Sequence, residues 1–115
     1  MIGIVLLHHL QDETEAEYQF RQALSLNPHC VDAQVQLAGL FASREGKEAT
    51  EEALRFCQAA IAECPTRDDV RVIKARVLTK LKRHEDAAVQ LREALKINSA
   101  NIEAHMLLAA LLSER

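Results

Sequence analysis

Histidine and cysteine are the residues of this 115-residue chain that could most readily hold a metal or carry out catalysis. His8 and His9 are adjacent, so on a helix their side chains point about 100° apart, which is a poor chelating geometry. His29 and Cys30 form the best metal-like pair, but no second pair stands at ligand spacing. Cys57 is the remaining candidate for a reactive thiol. We therefore expect neither a metal nor a cofactor.

The sequence also contains no pattern typical of a phosphate-binding site or of a nucleophilic catalytic site. Such sites need a glycine-rich loop, or a nucleophile next to a base. The three glycines are isolated along the chain, at Gly3, Gly39 and Gly46. The sequence therefore predicts a protein that is not an enzyme. The rival interpretation is an enzyme, or a regulatory subunit of one, whose reactive group is Cys57 or the His29-Cys30 pair.

Charge and hydropathy argue against other classes. The formal net charge is -3 and the pI is about 5.9, so the chain has no general attraction to nucleic acid or anionic lipid. The apolar run at residues 1–7 is far shorter than the roughly 20 residues that span a bilayer, and it lacks the flanks of a secretory signal. Three cysteines without a Cys-x-x-Cys pair indicate reduced thiols. We predict a cytoplasmic location and no membrane insertion.

Cations are concentrated in one short segment. Residues 71–83 contain six of them and no acid, and without these six the net charge of -3 becomes -9. Arg76, Lys80 and Arg83 are spaced by four and three residues, so they are expected on one helix face. Such a run either meets an anionic partner or only solvates the helix. The six are Arg71, Lys74, Arg76, Lys80, Lys82 and Arg83.

Helices are the elements that must position these residues. The chain has 18 Ala and 16 Leu, both strong helix formers, but only three Phe, one Tyr and no Trp. Pro, Gly and Asn divide it into seven predicted helices with short connections, so consecutive helices should pack antiparallel. The predicted helices are residues 1–10, 13–26, 31–43, 48–63, 68–82, 84–97 and 102–113.

These helices recur in pairs with a fixed period. Pro28 and Pro65 are 37 residues apart, and Ser99 follows Pro65 after 34. Such a period indicates a stacked array of helix pairs, in which small residues let two helices cross closely. Each second helix carries two alanines seven residues apart: Ala16 and Ala23, Ala53 and Ala60, Ala87 and Ala94.

The period and the small residues resemble the tetratricopeptide repeat, a helix-turn-helix unit of 34 residues. Leu37, Ala38 and Phe41 look like the signature of its first helix, and Ala53, Ala60 and Pro65 like that of its second. The longer unit has three extra residues around Arg44 to Ala49. The family's large aromatic residue near the start of the first helix is replaced by Gln34, Arg71 and His105.

The resemblance covers nearly the whole chain and implies an all-α fold. We expect one domain over residues 1–115, a right-handed α-solenoid of antiparallel helix pairs with about three repeats and seven helices. Its units would be residues 1–30, 31–67, 68–101 and 102–115, with the terminal units incomplete.

The resemblance also implies a concave groove, lined by the first helices of successive units, that binds peptides. We expect an apolar row (Val35, Val72, Met106), an acidic edge (Asp32, Asp69, Glu103) and a basic spot (Arg76, Lys80), with Gly39 on the same surface. Such a groove would suit a peptide or helical segment with an apolar anchor and an acidic end. The sequence thus predicts a protein-protein interaction module within a larger scaffold or multiprotein assembly.

Both ends of the chain are more apolar than the outer faces of terminal repeats usually are. This holds for residues 1–10 and for residues 102–112. We expect residues 1–10 and 102–115 to be covered by a longer repeat array or by another copy in a homo-oligomer, or else to fray in a monomer. The alternative function is then purely structural, with stacking or oligomerisation through the apolar ends.

Overall fold

A computed structural model describes residues 2–113, with side chains described from residue 12 onward. The predictions made for the side chains of residues 1–10, including His8 and His9, lie outside the described residues. Residues 114 and 115 lie outside them too. The described part forms an all-helical repeat solenoid, as predicted. Its helices are α1 (Ile2–Leu26), α2 (Val31–Ser43), α3 (Lys47–Glu63), α4 (Asp68–Lys80), α5 (His84–Ile97) and α6 (Ile102–Ser113).

The predicted break after residue 10 is wrong. The segments predicted as helices 1–10 and 13–26 form one helix, α1, so the described residues hold six helices instead of seven. No Gly or Pro interrupts residues 4–26, and a polar stretch alone does not end a helix. Further along the helix, pairs four residues apart stabilise it, such as Arg21 Nε with Glu17 Oε2 at 3.0 Å. Residues 2–26 therefore form one long helix at the place of the second helix of the first unit.

The other predicted helices agree closely with the structure. Three of them, α2, α5 and α6, have the predicted bounds, and α3 begins one residue early. The extra residues of the longer unit extend the start of α3, which has 17 residues against 14 in α5. Both helices follow a three-residue turn.

The turn after α4 changes one predicted surface. Lys82 adopts the left-handed φ of 65°. The Lys82 N–H donates to Thr79 O at 3.0 Å and the Arg83 N–H to Leu78 O at 2.9 Å, which is a Schellman C-cap. The helix thus ends at Lys80, and Arg83 instead pairs with Asp86 at 2.7 Å. The prediction that Arg83 shares a helix face with Arg76 and Lys80 is wrong.

The turns between units repeat the same hydrogen bonds. The N–H groups of Asn27, Cys64 and Asn98 each donate to the carbonyl four residues earlier, at 2.9, 2.8 and 2.8 Å. Each turn then closes with a bond from the N–H of its last residue to the carbonyl of its first, at 3.0, 3.4 and 3.2 Å. The sequence period therefore corresponds to a structural period.

The core lies where the two helices of a pair cross. We call α2 with α3 and α4 with α5 the complete pairs, because the partners pack along each other, and we call α1 and α6 the half pairs. The side chains at the crossing positions are fully buried in the complete pairs and only half-buried in α1. Ala53, Cys57 and Ala60 in α3 and Ala87, Leu91 and Ala94 in α5 are 0% exposed, whereas their equivalents Ala16, Phe20 and Ala23 are half-buried.

Candidate protein-binding surface

The first helices of successive units lie side by side, as a binding groove requires. Helix α2 contacts α4 directly, and α4 meets α6 through a buried cluster that includes Val72 and Ala104. We call the side of α2, α4 and α6 that carries Asp32, Gly39, Asp69, Arg76, Glu103 and Met106 the first-helix face. Most of the predicted groove residues lie on it.

The expected apolar row is not open. Val35 and Val72 are only 4% and 3% exposed, whereas Met106 is 68% exposed. Each buried valine belongs to a core cluster with a residue of the following first helix, Val35 with Val70 and Val72 with Ala104. Val35 and Val72 are therefore packing residues, and Met106 is the member of the row that a ligand can reach.

The predicted acidic edge is tied together by a cation that the sequence analysis did not single out. Arg67 Nη1 donates to Asp32 Oδ1 at 2.5 Å and Arg67 Nη2 to Asp69 Oδ2 at 2.8 Å, so one guanidinium joins α2 to α4. The hydrogen bonds that Arg67 donates to Asp69 and Asp32 raise the pKa of Arg67. A basic residue directly before Asp68-Asp69 at a helix start is a signal that could have indicated this link.

The predicted basic spot divides into two different roles. Arg76 Nη1 lies 3.4 Å from Glu103 Oε1 of the next first helix, with both side chains partly exposed. Lys80 Nζ instead donates to the carbonyl of Ala42, in the last turn of α2, and at 3.3 Å to that of Arg44, directly after the helix. A cation at a helix C-terminus stabilises the helix dipole. Lys80 is exposed, but its Nζ is bonded to the end of α2, whereas Arg76 is half-buried and pairs with an acid of the next first helix.

The six cations of residues 71–83 do not form one patch. Lys74 and Arg83 line a separate cleft with Gln58 and Asp86, between α3, α4 and α5. Arg71 points toward α5, where its Nη1 donates to Gln90 at 3.1 Å. The charge run is thus distributed around α4, and its density along the sequence overstates the charge available on the first-helix face.

The polar residues at the family's aromatic position share one structural role. Gln34 Nε2 donates to Pro28 O at 3.1 Å, and Arg71 Nη2 donates to Pro65 O at 3.4 Å. His105 Nε2 lies 2.9 Å from Ser99 O, and because a carbonyl only accepts, this nitrogen carries the proton. Each bond ties a first helix to the turn that precedes it, six residues back.

The last junction has an additional clamp around Asp68, the first residue of α4. Asn101 Nδ2 and Asn98 Nδ2 donate to Asp68 Oδ2 at 2.9 and 3.1 Å. Burial raises the pKa of Asp68, but the hydrogen bonds from Asn101, Asn98 and the backbone outweigh it, so the pKa is lowered. Asn101 also caps α6, because its Oδ1 accepts from the Ala104 N–H at 2.9 Å.

Helix α1 is fixed to α2 by a cluster of charges around one aromatic ring. Arg44 Nη1 pairs with Glu17 Oε1 at 2.7 Å, and the Arg44 guanidinium lies 4.9 Å from the Phe41 ring centre. Arg21 also approaches this ring, at 5.6 Å. The hydrogen bonds from Arg44 and Arg21 lower the pKa of Glu17. The acids and bases here are matched to each other, so this cluster holds the fold together.

The candidates for chemistry lie in settings that do not favour reactivity. Cys57 is 0% exposed, and burial raises the pKa of its thiol to about 12. His29 Nδ1 lies 2.6 Å from Glu63 Oε1, and the adjacent Cys30 is half-buried before α2. Within residues 12–113, no group of three or more His, Cys, Asp and Glu side chains could hold a metal ion. No helix in the described part has the length and apolar character needed to cross a bilayer.

Comparison with known families identifies the repeat. A model of the tetratricopeptide repeat matches residues 46–112, which is more than half of the chain. The match begins at the turn before α3 and runs to the last turn of α6. A search of curated proteins finds no match.

Proposed function

The chain belongs to the tetratricopeptide repeat family, and we propose that it is a protein-binding module that works without catalysis, in the cytoplasm, within a larger scaffold or multiprotein assembly. Repeats of this family generally mediate protein-protein interaction. The first-helix face is the proposed binding surface. Its proposed contact residues are Asp32, Gly39, Asp69, Arg76, Glu103 and Met106, while Val35 and Val72 are buried beneath it and the exposed Lys80 is bonded to the end of α2.

The partly exposed position of Arg76 carries this proposal. The Arg76 side chain is 38% exposed, and its Nη1 lies 3.4 Å from Glu103 Oε1, a looser contact than the 2.5 and 2.8 Å of Arg67 with its two aspartates. A carboxylate on a partner segment can therefore replace Glu103 on Arg76 at little cost. Met106 offers an apolar contact on α6, the helix that carries Glu103. We expect a peptide with one acidic group and one apolar anchor.

Random peptides displayed on phage and selected on the wild-type protein test this proposal. We expect the enriched peptides to pair an acidic residue or a C-terminal carboxylate with an apolar residue. Binding of a selected peptide should weaken at least tenfold in Arg76→Glu, because a like charge then faces its carboxylate. The matched control is Lys96→Glu, the same charge change at an exposed lysine of α5.

Two outcomes contradict the groove proposal. One is a selection that enriches no acidic peptide, and the other is equal peptide affinity in wild type and Arg76→Glu with helicity retained. Lys80 is unsuitable as the test residue, because its change would remove a bond to the end of α2 and report on stability instead.

The absence of catalysis is supported by the buried thiol. A nucleophilic cysteine must ionise near neutral pH, and a pKa near 12 keeps Cys57 protonated there. The three cysteines are free, which suits a reducing compartment such as the cytoplasm.

A second candidate function is association through the ends of the array. It is favoured by the apolar side chains that α6 leaves open, since Ile102 and Leu112 are 73% and 46% exposed. Exposed apolar surface of this kind commonly marks a contact with another protein.

A further inference from the structure

Helix α6 exposes residues whose equivalents are buried in the complete pairs. Leu78 of α4 is 4% exposed, whereas Leu112, the same residue type one unit later, is 46% exposed. Ala75 is 1% exposed, whereas its equivalent Ala109 is exposed. In α4 these two positions belong to the core cluster that α5 completes through Ala87 and other residues. Within residues 12–113, α6 therefore presents the contact face of a first helix on which no second helix of its own unit packs.

Helix α1 presents the opposite half of the same contact. Ala16, Phe20 and Ala23 are only half-buried, although each equivalent in α3 and α5 is 0% exposed. Phe20 packs against the core cluster that contains Leu37 and Phe41 of α2, yet it stays half-buried. Helix α1 thus has the small-residue spacing of a second helix, and among the described residues no first helix of its own unit packs on it.

The polar residues of α6 and α1 also stand at positions that form a hydrogen-bonded pair in α4 and α5. In the complete pair of α4 and α5, Arg71 Nη1 donates to Gln90 Oε1. One unit later the position of Arg71 holds His105, and in α1 the position of Gln90 holds Gln19. Gln19 is exposed and bonds within its own helix to Glu15 at 3.0 Å. Placed as a pair, α6 and α1 would set an imidazole beside a glutamine amide, two groups that can hydrogen-bond.

We propose that α6 of one copy pairs with α1 of a second copy, so that two half pairs form one complete helix pair across two chains. The proposal rests on the second candidate function, association through the ends. Within one chain α1 packs on α2 and α6 on α5, at opposite ends of the row, so the contact joins different copies. The two joined surfaces are unlike, so each added copy leaves a free α1 at one end and a free α6 at the other.

The second copy is the occupant that the molecule itself specifies. A covering helix needs small residues where it crosses α6 and a polar group near His105. Helix α1 supplies Ala16 and Ala23 at that spacing and Gln19 in that register. The geometry to be reproduced is that of α4 with α5, which every copy already contains.

Sedimentation or light scattering of the purified 115-residue chain over a range of concentrations tests the proposal first. We expect the average mass to rise from 12.9 kDa toward twice that value and beyond it, because the contact does not close. A chain that stays a monomer up to millimolar concentration would overturn the proposal.

Two single-end variants then test the pairing itself. Ala109→Arg places a long cation on the contact face of α6, and Ala16→Arg does so on α1. Each variant alone has lost one half of the contact and should be a monomer. Mixed in equal amounts, they should form a one-to-one dimer that grows no further, because each supplies the half that the other lacks.

Matched controls carry the same substitution at nearby positions outside the contact. Ala110→Arg lies beside Ala109, at the position where α4 itself carries Arg76. Ser25→Arg lies on α1, at a position whose equivalents Ala62 and Lys96 are exposed in complete pairs. Both controls should associate as the wild type does. If Ala16→Arg lowers the thermal midpoint, Gln19→Arg, at an exposed site of the same face, replaces it.

The remaining outcomes are decisive as well. Self-association of Ala16→Arg alone would indicate a symmetric contact between two α6 helices and overturn the proposal, as would a mixture that stays monomeric. Arg76→Glu should leave self-association unchanged, because Arg76 lies outside the proposed contact between α6 and α1. If self-association is not found, the peptide-binding test of the first-helix face therefore still stands by itself.

Discussion

The complete pairs and the half pairs carry equivalent residues but bury them differently. Leu78 in a complete pair is 4% exposed and Leu112 in a half pair is 46% exposed, although both are leucines at the same repeat position. The crossing alanine is 0% exposed at Ala87 and half-buried at Ala16. The repeat therefore fixes which residue faces a neighbour, and the neighbour decides how much that residue contributes to stability.

The largest contrast should appear in thiol reactivity. Cys57 is buried at a crossing position of a complete pair, and its equivalent in α1 is the half-buried Phe20. With Cys30 and Cys64 changed to Ser, Cys57 should react with a thiol reagent only as the protein unfolds. Adding Phe20→Cys should give one thiol that reacts in the folded state. Prompt labelling of Cys57 without unfolding would contradict the contrast and revive the enzyme interpretation.

The next largest difference should appear in the free energy of unfolding when the equivalent leucines Leu78 and Leu112 are each changed to Ala. Leu78→Ala should lower the free energy of unfolding by about 3 kcal/mol, because it removes a buried side chain and leaves a cavity. Leu112→Ala should cost about 1 kcal/mol or less, because much of that side chain already meets water. Denaturant unfolding at low protein concentration measures both. Equal costs would mean that α6 is covered in the monomer.

The junction between the last complete pair and α6 should respond to pH. Asp68→Ala should destabilise the protein by about 1 kcal/mol at pH 7, because it removes the acceptor of Asn98 and Asn101. Since the pKa of Asp68 is lowered in the fold, this stabilisation is present above the ordinary carboxyl pKa. It should disappear as the pH falls through the lowered value.

Urea unfolding of wild type and Asp68→Ala at several pH values measures this difference. Asp12→Ala is the control, since it removes an exposed carboxylate from the half pair α1. A difference between Asp68→Ala and wild type that persists unchanged in strong acid would show that the carboxylate charge is not involved.

The smallest effect on stability is expected at the turn between α4 and α5. A turn of this kind joins the two helices of a complete pair, and the described half pairs have no equivalent turn. Lys82→Gly should stabilise the protein by about 0.5–1 kcal/mol, because glycine adopts the left-handed φ of 65° without strain. Lys82→Ala is the control, since it also removes the side chain but keeps the strain. A thermal midpoint that rises equally in both variants would point to charge as the cause.

The repeat and its helices could be predicted from the sequence because their signals are local. Breakers such as Pro28 and Pro65, with alanines at fixed spacing, determine both the helix bounds and the period. The missed feature was the continuity of α1, where polar residues 11 and 12 resemble a turn but neither Gly nor Pro is present. The end of α4 was placed late because Lys82 occupies a position that usually signals itself by glycine.

The surface was less predictable, because burial depends on neighbouring helices that sequence does not place. Val72 and Met106 occupy the same repeat position, yet only the former has a following first helix in contact. Lys80 and Arg76 are both cations of α4, but only the reach of Lys80 to the carbonyl of Ala42 separates their roles. Periodicity predicts which residues share a helix face, whereas the packing of neighbouring helices determines which of those residues stay exposed.

The bonds from Gln34, Arg71 and His105 to the preceding turns have a consequence for how such chains diversify. An amide, a guanidinium and an imidazole make the same contact, at 3.1, 3.4 and 2.9 Å. The junction therefore requires only a donor of sufficient reach, and it does not constrain the charge or size of that donor. Successive units can exchange one kind of side chain for another here while keeping the same stacking geometry.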